Sequence, residues 1–301
     1  MTMYELTASL LNINEAALTM DVLGKLAGLS DQGCQVQLIL VDNGSRSDDL
    51  RTLIEWFLVN KGRFKEVLSI MASRNLGCTG GRNIALKLAS SDRILILDND
   101  VILPNDSAWL ERLWGRMDAD PRVGIVAPML VSADHPDIVL STGIGLTKRG
   151  RVGFINRAKA ATDVSPTSVE VLAAPASCWL VRREAQQAVG FFSEEYYPVQ
   201  YEDLDLCVRL KLAGWKVLCD CSVRIRHIEN VTTRNLKDHP FARLTVRHGM
   251  HFKEKWADLL PQFATISEDE IYWGPIPRGN TCREKSTYAT KPTHSRSGSI
   301  R

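Results

Sequence analysis

No apolar run in this sequence approaches the roughly 20 residues that a membrane-crossing helix requires. The opening stretch, MTMYELTASLLNINEA, has neither a basic region ahead of an apolar one nor a small-residue cleavage signal. The expectation is a cytoplasmic protein, free or attached peripherally to a membrane. An excess of either charge is also missing: 37 Lys and Arg face 35 Asp and Glu, a net charge of +2, with both signs mixed along the chain. Without a basic field, nucleic acid is not an expected partner, and an anionic ligand must be met by a local site. Seven cysteines, at 34, 78, 178, 207, 219, 221 and 282, lack the paired spacing of a disulfide framework or a zinc knuckle. Cys219 and Cys221 flank Asp220 in an apolar run, and packing is their expected role, because alternate residues of a strand share a face. No Gly-Lys-Ser/Thr closes a glycine-rich run, and no glycine fingerprint follows the first apolar segment. Those absences remove the Walker and dinucleotide-binding readings.

What is present is a rhythm. From about residue 5 to 130, short apolar runs (TASLL, VQLILV, VLSIM, RILIL, VGIVA) alternate with helical patterns over 15–29, 49–59, 80–89 and 107–117. Strict alternation predicts an α/β fold with a mainly parallel, doubly wound sheet covered by helices on both faces. Ligands of such sheets bind beyond the carboxyl ends of the strands. The segments leaving those ends, 12–15, 42–47, 73–81 and 98–104, hold most of the polar, glycine-rich and acidic residues of this half. After residue 130 the pieces are shorter and less regular, order returns from about 169, and an amphipathic helix is expected over 239–256. Residues 274–301, with six Lys and Arg against one acidic residue, read as a disordered basic tail. Solvated disorder is one reading of that tail, and contact with an anionic lipid surface is the other.

Several positions carry candidate chemistry. RILILDNDVILP ends a buried strand on Asp98 and Asp100, where two carboxylates in one place call for a cation or solvent. Hard carboxylate oxygens suit Mg²⁺ or Mn²⁺, and an acidic turn accounts for the residues equally well. Asp42, in LILVDNGS, leaves an earlier strand in the same way, where it serves either a turn or a ribose or pyrimidine contact. In SRNLGCTGGRNIAL, Gly77, Arg82 and Asn83 stand at a helix start whose free N–H groups favour an anion. In YEDLDLCVRLKLAGW, Glu202, Asp203 and Asp205 begin a helix with Leu204, Val208 and Leu212 at helical spacing. The helix dipole explains one acidic residue there; three leave room for a general base. His227, in RIRHIEN, is a candidate metal ligand or a structural histidine.

Taken in order, LLNINE, VDNGS, NLGCTGGRN, LDND, YEDLDLCVRLKLAGW and RIRH resemble glycosyltransferase family 2, the inverting enzymes of the GT-A fold, over roughly residues 6–256. The resemblance implies an inverting transfer of a sugar from a nucleoside-diphosphate donor, with a UDP- or dTDP-sugar favoured. The acceptor would be a hydroxyl of a glycan, a lipid-linked molecule or another compound. It implies nucleotide-sugar contacts from Asn12, Glu15, Asp42, Gly77, Arg82, Asn83, Asp98 and Glu202. It further implies Mn²⁺ or Mg²⁺ held by Asp100 and His227, and Asp203 as catalytic base. Residues 1–130 would take the donor, and residues 131–260 would form the acceptor and catalytic half of the same domain. The chain departs from the family pattern in lacking a proline in LLNINE and in placing Asn99 between the two aspartates. The rivals are a sugar nucleotidyltransferase, whose glycine-rich arginine and lysine signature LLNINEA does not supply, and a nucleotide-sugar-binding module without turnover.

Overall fold

A computed structural model describes residues 5–229, 231, 241–272, 274 and 276 of the chain. The apolar runs of the first half are strands because each is too short for a buried helix and is rich in Val, Ile and Leu, which suit a sheet covered on both faces. They are β1 (Glu5–Asn12), β2 (Gln35–Asp42), β3 (Glu66–Met71) and β4 (Arg93–Asp98), joined through α1 (Ala16–Asp31), α2 (Ser47–Asn60) and α3 (Gly77–Leu88). All three pairings in the order β3-β2-β1-β4 are parallel. Their register sets Asn12 beside Asp42 and Leu11 beside Asp98, so the polar strand ends form one rim.

The second half continues the same sheet. It comprises β5 (Val101–Ile102), α4 (Ala108–Ala119), β6 (Val123–Ser132), β7 (Val139–Ser141), β8 (Ile144–Leu146), β9 (Val152–Phe154), β10 (Ser168–Val171), β11 (Cys178–Arg182), α5 (Arg183–Val189), α6 (Glu202–Leu212), β12 (Lys216–His227) and α7 (Phe241–Lys255). The strand order is β10-β12-β6-β11-β4-β1-β2-β3, with β5 on β12, β7 on β6, and β8 and β9 forming a separate hairpin. The sheet is mixed. β6 and β12 are parallel to each other, whereas β11 runs antiparallel to both of its neighbours, β4 and β6. It follows that β1, β2, β3, β4, β6 and β12 all deliver their carboxyl ends to one edge, and β11 begins there. The apolar CWLVR run fits either strand direction, which is why periodicity did not reveal the inversion.

Alternation within β4 divides the core. Leu95 and Leu97 pack with α1, α2 and α4, whereas Ile94 and Ile96 pack with α3, α5, α6 and Phe252 of α7. Every residue of β6 is buried. Pro128 within it cannot donate to the ladder, and its partner β12 shifts register between Asp220 and Arg224. Asp220 fills that irregularity, accepting from Arg116 Nε at 2.8 Å and from the Ser222 hydroxyl at 2.7 Å. Cys219 and Cys221 on either side are buried in the core, as packing predicts. Leu204 and Val208 of α6 are likewise buried, but Leu212 at its end is half exposed.

The expected helix over 239–256 is α7, whose described part begins at Phe241. No helix among the described residues is long and apolar enough to cross a membrane. The basic tail, apart from residues 274 and 276, lies outside the described residues.

Candidate active site

The strand β4 ends on the Asp98-Asn99-Asp100 turn, and the middle residue explains how both carboxylates reach one place. Asn99 is buried and turns inward, donating to Thr19 Oγ1 at 3.0 Å and Asn12 Oδ1 at 3.4 Å. The flanking aspartates line the cleft. Backbone bonds pin the turn on both sides: Asp98 N–H donates to Ser177 O, and Ile228 N–H donates to Asp100 O, each at 3.0 Å. The second of these ties the turn to the end of β12, where His227 Nε2 lies 3.0 Å from Asp100 Oδ1. Asp98, Asp100 and His227 each offer a ligand atom, and the three atoms lie within 4.8 Å of one another. Burial opposes the charge on Asp100, but the His227 imidazole more than offsets it and holds the carboxyl below its ordinary range. Burial likewise opposes a proton on His227, and Asp100 outweighs it and raises the imidazole pKa.

Arg82 connects this turn to α6. Its Nη2 donates to Asp98 Oδ1 at 2.7 Å and its Nη1 to Glu202 Oε1 at 3.0 Å, while its guanidinium carbon stands 5.5 Å from the centre of the Phe192 ring. Only 5% of the side chain is exposed. The neighbouring Asn83 holds Phe192 in place, giving and taking one hydrogen bond of 2.9 Å with its backbone. Asn83 is therefore a brace for Arg82 and not a wall of the cleft. Burial and the adjacent Asp203 charge push the Glu202 carboxyl up to about 7, against the pull of Arg82. Burial also raises Asp203, although the Leu204 N–H and Arg82 oppose it. The third acidic residue, Asp205, is fully buried; Arg209 pairs with it within α6, and Lys255 and Trp256, at the end of α7, tie it to that helix.

The remaining positions from the sequence reading shape loops. Asp42 is fully buried and accepts four bonds, from Asn12 Nδ2, the Ser45 hydroxyl and the N–H groups of Gly44 and Ser45, between 2.6 and 3.2 Å. Those four fill a carboxylate's acceptor positions, so Asp42 fixes the loop after β2. Asn12 is equally occupied, with donors to Asp42, Ser45 and Asp49 and an acceptor for Thr19. Glu15, at the start of α1, is half-buried, and burial first, then Asp49 and Asp100, raise its pKa. Gly77 has φ +71°, and a Cβ there would stand 2.7 Å from Pro198 O. The helix start thus docks directly on the segment before α6, where Cys78 N–H donates to Pro198 O at 2.7 Å.

That segment had no sequence signal. Gln200 and Tyr201, immediately before Glu202, both lie in the left-handed region at φ +86° and +74°, a backbone cost of about 1–3 kcal/mol per residue. α7 holds them there. His248, whose pKa burial lowers, places Nδ1 3.0 Å from Val199 O, and Nε2 accepts from Arg247. Gly249 lets the Tyr201 ring lie against the helix, since a Cβ would be 2.7 Å from its hydroxyl.

The cleft above these groups has a volume of about 460 Å³ and runs from Asn43, Asn75 and Gly77 past Asp98, Asp100, Glu202, Asp203 and His227 to Leu140, Phe154 and Arg157. The family model for glycosyl transferase family 2 matches residues 15–189. The chain is 26% identical over 234 residues to the uncharacterized protein y4gI of Sinorhizobium fredii, covering 73% of this chain and 24% of that one. It is 24% identical over 199 residues to the O-antigen chain rhamnosyltransferase WbaN of Salmonella anatum, covering 66% and 58%. It therefore spans from about a quarter to somewhat over half the length of these relatives. Among solved structures, GalNAc-T7 with UDP, GalNAc and Mn²⁺ superposes with a TM-score of 0.63 at 13% identity, over 86% of this chain and 49% of that one. The mannosyltransferase PcManGT of Pyrobaculum calidifontis, in complex with GDP-Man and Mn²⁺, gives 0.58 at 14%, over 89% and 67%. With more than half of its length matched by the family model and its mixed sheet shared with GT-A structures, the chain belongs to glycosyltransferase family 2.

Proposed function

We propose that the chain is an inverting glycosyltransferase that moves a sugar from a nucleoside diphosphate to an acceptor hydroxyl with the help of Mn²⁺ or Mg²⁺. The observation that carries the reading is the meeting of two constellations on one cleft: the Asp98–Asp100–His227 cluster on the sheet edge, and Asp203 on the first turn of α6. The donor set fits a divalent cation. Asp98, Asp100 and His227 would hold such a cation, and the hard carboxylate oxygens suit Mn²⁺ or Mg²⁺. A bound cation would offset the charge that develops on the departing diphosphate.

The protein's own groups do the rest. Asp203 takes the proton of the acceptor hydroxyl as its oxygen attacks the anomeric carbon, and the bond to the diphosphate breaks on the opposite face. A single displacement inverts that carbon and requires no enzyme nucleophile. Arg82 spans Asp98 and Glu202, so the donor side and the base side are held at a fixed separation. The half up to about residue 130 takes the nucleotide, a UDP or dTDP base being the favoured class, and residues 131–260 take the acceptor. Leu140, Ile144, Val152 and Phe154 supply an apolar wall there, which suits the ring face of a glycan or a lipid-linked acceptor.

Titration calorimetry with a panel of nucleoside diphosphates, with and without Mn²⁺, tests the reading. One diphosphate is expected to bind only with the cation, and Asp100→Ala is expected to remove that dependence. Equal diphosphate affinity in the variant and the wild type, with and without Mn²⁺, would refute the metal assignment.

A further inference from the structure

The charge balance of the cleft leaves a gap. Among the described residues that line it, five are acidic (Asp98, Asp100, Glu202, Asp203 and Glu229) and three are basic (Arg82, Arg157 and His227). Arg82 is committed to Asp98 and Glu202, and His227 faces Asp100. A nucleoside diphosphate becomes more negative as its sugar departs, and in a partly desolvated cleft that charge is costly without a nearby donor. Arg157 faces a single carboxylate, Glu229, and is the more exposed of the two arginines, 18% against 5%.

Its geometry is fixed in advance. Nη1 donates to Glu229 Oε1 at 3.0 Å and to Leu140 O at 3.2 Å, and Nη2 donates to Glu229 Oε2 at 3.1 Å, while the guanidinium carbon lies 5.3 Å from the centre of the Phe154 ring. Of the five N–H donors of a guanidinium, these bonds occupy three, and the side chain is 18% exposed. Asn156 and Ala158 on either side are both left-handed, at φ +58° and +68°. Ala158 N–H donates to Val139 O at 2.9 Å, and Asn156 Nδ2 donates to Thr142 Oγ1 at 3.0 Å, so the turn that carries Arg157 is tied to the sheet. Glu229 lies two residues beyond His227, which brings the guanidinium to the cation end of the cleft, and its charge is one of those that raise the His227 pKa.

We infer that Arg157, preset by Glu229, binds the distal phosphate of the nucleoside diphosphate and offsets the charge that stays on that phosphate when the sugar leaves. The inference rests on the proposed transfer reaction. No covalent step is added: the guanidinium keeps its protons and donates hydrogen bonds through the N–H groups that Glu229 and Leu140 leave open.

The test is calorimetric titration of the full chain with Mn²⁺, comparing a nucleoside diphosphate with the monophosphate of the same base in wild type, Arg157→Gln and Arg157→Lys. Both variants are first checked for an unchanged circular dichroism spectrum and a cooperative thermal transition. Loss of a charge-assisted pair of hydrogen bonds is expected to weaken diphosphate binding in Arg157→Gln by about tenfold or more, with monophosphate binding within about twofold of wild type. Arg157→Lys keeps the charge without the fork and is expected to fall between the two. An unchanged diphosphate affinity in folded Arg157→Gln overturns the inference while leaving the transfer reaction standing, as does an equal loss for both nucleotides. If only one variant folds, that variant decides by the same comparison. A wild type that binds no nucleoside diphosphate at all removes the reaction itself, and this assignment with it.

Discussion

Asp203→Asn is expected to cut sugar transfer by about 10²–10⁴-fold, the contribution of a well-placed general base, while nucleoside-diphosphate affinity stays within about twofold of wild type. Asparagine preserves the volume of the side chain and can still accept the Leu204 N–H bond that Asp203 makes at 2.8 Å, but it cannot take a proton. The pH profile supplies an independent check. Burial raises the Asp203 pKa, so kcat/KM is expected to fall with decreasing pH along a limb above the value of about 3.9 usual for aspartate. Below that limb the base is protonated and idle; above it the carboxylate is ready. A folded Asp203→Asn enzyme with near wild-type turnover would remove the base assignment, and so would a wild-type profile that is flat down to about pH 4.

Arg82→Met is expected to produce the largest loss of stability. The guanidinium is the bridge between Asp98 and the buried Glu202, and removing one partner of a buried ion pair costs about 3–5 kcal/mol. For a chain of this size that corresponds to a fall in Tm of roughly 5 °C or more. The loss depends on pH, with a sign the structure fixes. Glu202 already has its pKa raised to about 7, and without Arg82 it rises further. A carboxyl whose pKa is higher folded than unfolded stabilises the fold below the unfolded value, and that contribution is lost as pH climbs through the folded value. The destabilisation of Arg82→Met is thus expected to be smaller at pH 5 than at pH 8. Calorimetric melting of both proteins at the two values measures it, and a gap that narrows at pH 8 would mean that Glu202 does not sense Arg82.

The sequence made the alternating half legible for a physical reason. Buried parallel strands must be short and apolar, and the helices between them carry their own period, so β1 to β4 and α1 to α4 stand within a few residues of the expected places. It also exposed Asp98, Asp100, His227 and the start of α6, because acidic residues at strand and helix ends are conspicuous. What it hid were partners. Asp42 accepts four hydrogen bonds, two of them from the backbone of its own loop, and Asn12, which lines the cleft, also donates to Asp42, Ser45 and Asp49. Asn83 looked like part of an anion loop and instead braces Phe192. Arg157 carried no local signature, since its partner Glu229 lies 72 residues away.

The inverted strand has a consequence for how the chain assembles. β1 to β4 can pair among themselves once residue 98 has been made, because all of their partners lie in that first stretch of chain. β6, with ten buried residues, is joined at first only by the short β7, and it must wait for β11 and then for β12, which ends at residue 227, before both of its edges are closed. An apolar strand left with open edges for that long is a site for chain-to-chain pairing during synthesis. Lower temperature or slower translation is therefore expected to raise the soluble yield of the protein more than its equilibrium stability alone would suggest.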